Sequence, residues 1–260
     1  MAVYLKKSVE LYKNALTKNE KTLRICLIAA GEVLSAFTLV YLITLKEFTH
    51  IKMAIGSFFI VLVPVLIEIL FRCRMRVVPY IAAELYAISP LLGECYKLYY
   101  TTDWWDKMLH TFGGVAFVLF GVYLFRRMCK NEPKRITAAV FALCFSISIS
   151  VLWEFVEYAG DNLFDMDMQN DTLVEELHSY YFGDAPGVPG DIRSIDSVTI
   201  NGNEVPFKGY LDIGLHDTMQ DMLIETFGAL IAVVFILINK EKTVLFIPLS
   251  EDEMGGYENG

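Results

Sequence analysis

The chain has 260 residues, 55% of them hydrophobic, and a formal net charge of −9. Its mean hydropathy is +0.43, and its several separate apolar runs of about twenty residues exclude an ordinary soluble domain and mark a polytopic membrane protein. No basic patch interleaved with aromatics occurs, so nucleic acid is excluded as a partner, and the lipid bilayer is the expected surrounding.

In chain order, residues 1–24 are polar and Lys-rich. They read as a cytosolic amphipathic segment, with Leu5, Val9, Tyr12 and Leu16 on one stripe, rather than as a cleaved signal peptide. Six spans are predicted, at about 25–45, 51–71, 78–99, 107–126, 136–160 and 217–238. Pro64, Pro79 and Pro90 are expected to kink or begin their helices. Residues 161–216 form a connection with eleven acids against Arg193 and Lys208, and Ser197–Phe207 reads as a β-hairpin around Asn201–Gly202. Residues 241–260 are an acidic tail. The fold class is thus all-α: a six-helix membrane domain over 25–240 with an extracytoplasmic loop that carries a hairpin. Cys26, Cys73, Cys95, Cys129 and Cys144 show no CxxC spacing and read as free thiols.

Alternate loops differ in basic residues: sixteen Lys and Arg on the side of the termini, six on the other. The positive-inside rule then places both termini in the cytosol. Trp104, Trp105 and Trp153 gather at the outer interface.

Three predicted spans carry ionisable residues, all at the outer end. Asp106 and His110 lie four apart on the fourth span. Glu154, Glu157 and Asp161 share one face of the fifth, and Asp217, Asp221 and Glu225 recur every four residues on the sixth. At about 1.5 Å per residue, the three stripes cover similar depths, about 6–12 Å each. An interfacial reading suits Asp106, Asp161 and Asp217. His110, Glu154, Asp221 and Glu225 lie deeper, where an unpaired charge costs about 2.5–3.5 kcal/mol. Seven carboxylates at close range require either shared protons or a cation. Carboxylates beside a histidine suit Mg²⁺, Mn²⁺ or Zn²⁺. The expected ligand set is Asp106, His110, Glu154, Asp161, Asp217 and Asp221, with Glu157 or Glu225 as general base for a water.

"DKMLH" (Asp106–His110), Gly113–Gly114, Glu154, Asp221 and Gly228 together resemble the VanZ-like pattern of a DKxxH helix, a Glu-bearing helix and a final D-x3-N-x2-G helix. "WEFVEYAGD" (Trp153–Asp161), the acidic loop and "GYLDIGLHDTMQDMLIETFGA" (Gly209–Ala229) resemble the YjdF-like group of bacterial membrane proteins. The resemblance covers about residues 50–238. Glu225 departs from the pattern, which has Asn there. The resemblance implies a multi-pass protein of the bacterial cytoplasmic membrane and brings no reaction with it; VanZ-like proteins are linked to glycopeptide-antibiotic resistance at the envelope.

The leading expectation is a metal-assisted hydrolase or transferase acting on a lipid or lipid-linked envelope substrate. Two others stay open: a non-enzymatic envelope or antibiotic-resistance factor that binds a cationic ligand, and an ion-coupled transporter. The apolar inner halves of the fourth and sixth spans count against a transporter.

Overall fold

The computed structural model describes residues 2–48, 50–102, 104–164, 166–239 and 245–249. Most of the expected acidic tail lies outside the described residues.

The helix α1 (Ala2–Ala15) lies ahead of α2 (Lys18–Leu45), a 28-residue helix. Thr17 starts α2: its hydroxyl accepts from the Glu20 N–H, and the Glu20 carboxylate accepts from the Thr17 N–H in return. The second apolar run is two helices, α3 (Ile51–Ile60) and α4 (Val63–Leu70), with Pro64 in the first turn of α4. Proline lacks the N–H that would continue the α3 ladder, so the helix breaks and restarts there. A turn then enters strand β1 (Cys73–Met75). Next come α5 (Val77–Cys95), the short α6 (Leu98–Thr101), α7 (Trp105–Met128) and α8 (Arg135–Phe164). Six short strands fill the connection to α9 (Leu215–Ile238): β2 (Thr172–Val174), β3 (Leu177–Ser179), β4 (Gly190–Ile192), β5 (Thr199–Ile200), β6 (Asn203–Glu204) and β7 (Tyr210–Asp212). The last described strand is β8 (Phe246–Pro248).

All strand pairs are antiparallel. β2 pairs with β7 and closes the base of the connection, while β3 pairs with β4. β5 and β6 form a hairpin across Asn201 and Gly202, whose φ values of 52° and 83° suit a two-residue hairpin turn. β8 returns to pair with β1, Cys73 opposite Pro248.

Among the described residues, five helical stretches are long and apolar enough to cross a membrane: Lys18–Leu45, Ile51–Leu70, Trp105–Met128, Arg135–Phe164 and Leu215–Ile238. The sixth expected span is α5, 19 residues long and less apolar because it carries Glu84, Glu94 and Pro90. It nevertheless runs from one end of the bundle to the other. It begins beside β1, and at its far end Glu94 meets the His50 ring at 2.6 Å. The Lys52 ammonium donates to the Phe164 carbonyl at that same end.

The interior is rich in small and polar residues, and many of the large apolar ones face outward. Phe37, Phe59, Phe155, Phe227 and Val234 are exposed. Inside, Val118, Val122, Ala142, Ala229 and Ala232 pack α7, α8 and α9 together, and Leu42, Ala54, Leu91 and Cys95 pack α2, α3 and α5. Lipid tails leave no reason to bury Leu or Phe, so close backbone packing through small residues holds such bundles. α7 and α9 show this best. A Cβ on Gly114 would stand 2.1 Å from the Glu225 carbonyl oxygen, and one on Gly228 would stand 2.2 Å from that of Thr111. The two backbones touch through these reciprocal glycines.

At the opposite end from the long connection, Glu68 is fully buried and accepts four hydrogen bonds. Donors are Arg24 Nη2 at 2.7 Å, Arg24 Nε at 2.9 Å, Tyr12 Oη at 2.7 Å and the Met75 N–H at 2.6 Å. The Arg24 guanidinium also lies 4.2 Å from the Tyr80 ring centroid. This one carboxylate therefore joins α1, α2, α4 and β1. Sequence reading placed Arg24 ahead of the first span and gave no role to Glu68. A glutamate inside an apolar run demands such a partner.

Candidate functional site

At the end of the bundle that carries the long connection, reciprocal glycines hold α7 against α9, and α8 packs against both. Asp106 lies in the first turn of α7, and His110 follows one turn deeper. α9 starts at Gly214, which holds φ 110°, while the Asp212 carboxylate accepts from the His216 N–H at 2.6 Å. Asp221 and Glu225 then face α7. On α8, buried Ser146, Ser150, Glu154, Glu157 and Gly160 line one face, and the Ser146 hydroxyl donates to the Gly114 carbonyl at 3.2 Å.

His110 is the centre of the pocket. Its Nε2 stands 3.6 Å from Asp106 Oδ1 and 3.7 Å from Asp221 Oδ2, and its Nδ1 stands 3.7 Å from Glu225 Oε2. One donor atom from each of Asp106, His110 and Asp221 falls within 4.8 Å of the others. These separations are too long for hydrogen bonds. They are close to what a shared cation gives: two donors about 2.1 Å from one ion at a tetrahedral angle stand about 3.4 Å apart. The donor chemistry, one imidazole nitrogen and two carboxylates, suits Zn²⁺ or Mn²⁺.

The pocket is dry. His110, Glu154, Glu157, Asp221 and Glu225 are each at most 7% exposed. Glu157 Oε1 accepts from the Trp153 indole at 2.8 Å. Both oxygens of Glu154, Oε1 of Glu225, the Ser150 hydroxyl and the Trp105 indole N–H are buried without a hydrogen-bond partner. A buried carboxylate left so costs far more than a partnered one, and in native proteins such atoms point to a ligand.

Asp161 and Asp217 are placed differently from the other acids. Asp161 accepts from the N–H groups of Met168 and Gln169 at 2.6 and 3.0 Å, and Asp217 accepts from the Asn170 N–H at 2.8 Å. The Gln169 side chain reaches the Thr218 hydroxyl. These two aspartates pin residues 166–170 across the mouth of the pocket. Of the eight expected site residues, the structure brings Asp106, His110 and Asp221 into one group and Glu225 onto the other side of the imidazole. Glu154 and Glu157 line the α8 wall, and Asp161 and Asp217 hold the loop.

Three aromatic groups were missed. Tyr86 on α5 presents its hydroxyl against Gly113, where an added Cβ would stand 2.9 Å from it. Tyr99 on α6 lies close by, its ring against Gly93, where an added Cβ would stand 2.2 Å from it. Trp105 precedes Asp106 and was read only as an interfacial anchor. Nothing in a tyrosine's sequence position separates a pocket phenol from a lipid-facing one, so no local signal marks them.

A family model described as "Predicted membrane protein (DUF2238)" matches residues 26–242. No curated protein and no solved structure matches the chain.

Proposed function

From its place in the DUF2238 family of predicted membrane proteins, to which the chain belongs, we propose that this is a metal-dependent enzyme of the bacterial cytoplasmic membrane. It has six spans, with α5 as the third, and both termini face the cytosol. The basic residues favour this orientation, and α5 linking the two ends of the bundle supports the sixth crossing. The pocket then opens to the extracytoplasmic side under the acidic connection.

The observation that carries the reading is the spacing of Asp106, His110 and Asp221, three ligand atoms within 4.8 Å from two successive turns of α7 and one turn of the touching α9. They would hold one divalent cation, Mn²⁺, Mg²⁺ or Zn²⁺. Bound there, the ion supplies Lewis acidity toward a substrate oxygen and a water of lowered pKa. Glu225 faces His110 Nδ1 and orients the ligand imidazole, a role in which a carboxylate raises ligand basicity. Glu157, held by Trp153, is the remaining base for water. The dry, lipid-level position favours hydrolysis or group transfer on an outer-leaflet lipid or lipid-linked envelope substrate. The YjdF-like and wider VanZ-like motifs support an envelope role.

The test is a thermal melt of the purified chain in detergent. A ligand that binds the native state raises its stability by mass action. Chelator should lower the melting temperature, and Mn²⁺ or Zn²⁺ should restore it in the wild type and not in His110→Ala. A melt indifferent to chelator and metal would defeat the cation.

A further inference from the structure

We infer that the pocket holds a second divalent cation, on the Nδ1 side of His110, ligated by Glu154 and Glu225 with the Ser150 hydroxyl. The inference rests on the first cation position proposed above and adds an independent set of atoms to it.

The two nitrogens of an imidazole point in different directions. His110 Nε2 meets Asp106 and Asp221, and Nδ1 meets Glu225. No oxygen of Glu154 or Glu225 belongs to the group of donor atoms within 4.8 Å on the Nε2 side. These carboxylates are therefore not ligands of the first ion at the observed geometry. Their protein partners are few: Glu154 Oε1 and Oε2, Glu225 Oε1 and Ser150 Oγ are buried and make no hydrogen bond of normal geometry, although the Thr218 side chain lies close enough to act on the Glu154 carboxylate. Ser150, Glu154 and Glu225 are 2%, 4% and 3% exposed, so bulk solvent does not reach them.

The orphaned atoms lie at one level. The Ser146 bond to the Gly114 carbonyl puts Ser146 level with Gly114, which abuts the Glu225 backbone. One turn outward lie His110 on α7 and Ser150 on α8. Side chains on a helix lean toward its N-terminus. α9 begins at the outer end, so Glu225 leans outward to His110. α8 begins at the inner end, so Glu154 leans inward toward the turn of Ser150. Glu154 lies within electrostatic reach of both His110 and Glu225.

Charge leads the same way. Asp106 and Asp221 balance one divalent ion. Glu154, Glu157 and Glu225 remain, and among the described residues no Lys or Arg forms an ion pair with any of them. A second divalent cation balances Glu154 and Glu225, and Glu157 keeps its bond from the Trp153 indole. Glu225 then serves two purposes, Oε2 toward His110 Nδ1–H and Oε1 toward the ion, so the two positions are linked through the imidazole.

The experiment is metal counting on the full chain in detergent, stripped with chelator and reloaded with Mn²⁺. Wild type should bind two ions, and its Mn²⁺ EPR spectrum should show coupling between them. Glu154→Gln and Asp106→Asn should each halve the count and abolish the coupling. A single uncoupled ion in wild type, lost in Asp106→Asn and kept in Glu154→Gln, would overturn the second position and leave the first standing. Two ions retained in a folded Glu154→Gln would also overturn it, and no bound Mn²⁺ at all would overturn both. The wild-type spectrum decides the matter if Glu154→Gln does not fold.

Discussion

Gly228→Ala tests whether the glycine contact sets the site. The added methyl would meet the Thr111 carbonyl oxygen at 2.2 Å, whereas ordinary contact begins at 3.4 Å. The obstacle is backbone, so it cannot swing aside, and α9 must recede from α7 by more than an ångström. Asp221 and Glu225 lie two turns and one turn from Gly228 on the same face and move with it. Their 3.7 Å separations from His110 would open to about 5 Å, against about 3.4 Å for donors sharing one ion. Overpacking of this kind costs about 1–3 kcal/mol, or a fall of roughly 5 °C in melting temperature for a chain this size. Mn²⁺ affinity should fall by about tenfold or more, the usual scale when the support of a ligand is disturbed. Thermal melts and Mn²⁺ titration in detergent measure both effects. Gly56→Ala is the control, since nothing lies within 4 Å of its added Cβ. If Gly228→Ala melts and binds Mn²⁺ as wild type does, the two helices do not set the spacing and the reasoning fails.

Arg24→Ala would leave Glu68 charged and fully buried, and should cost about 3–5 kcal/mol; Arg24→Met with Glu68→Leu should recover much of that in a melt, and a single variant as stable as wild type would mean the pair is solvated. Asp167 is exposed, yet partial desolvation and then Asp171, Asp161 and Glu94 raise its pKa. Its stabilising share is therefore complete below the ordinary aspartate range and lost as pH rises through the raised value. Asp167→Asn should match wild type at low pH and melt slightly higher at neutral pH, and identical curves throughout would count against the repulsion. Reporter fusions at Ala185 and after the last residue should report opposite sides of the membrane, with the Ala185 fusion outside; a cytosolic signal from Ala185 would invert the proposed orientation.

The sequence made the spans legible because lipid requires long apolar runs, and α5 is the one whose acids dilute that signal. Convergence of the polar stripes was legible too, since a four-residue recurrence on three helices at equal depth leaves them few places to face. The division of labour among the acids was not. Asp161 and Asp217 sit on the same stripes as Glu154 and Asp221, and only the path of residues 166–170 over the pocket decides that their oxygens go to backbone N–H groups. The Arg24–Glu68 pair was hidden for a similar reason: its partners are 44 residues apart and meet only once α2 and α4 are packed.

The pairing of β1 with β8 has a consequence for the order in which the chain is made. Cys73 leaves the ribosome long before its partner Pro248, and until then the strand edge is unpaired and the carbonyl of Arg72, which accepts from Arg127 Nη1 at 3.0 Å, lacks its second donor, the Leu249 N–H at 2.8 Å. Phe246 completes the assembly by packing against Phe120 and Tyr123, at 5.2 and 5.4 Å between ring centroids. An unpaired edge of this kind is a template for the wrong strand, and a contact spanning so much sequence forms late. The clasp therefore closes only after α9 has been made. Chains that stop after α9 would keep the β1 edge open.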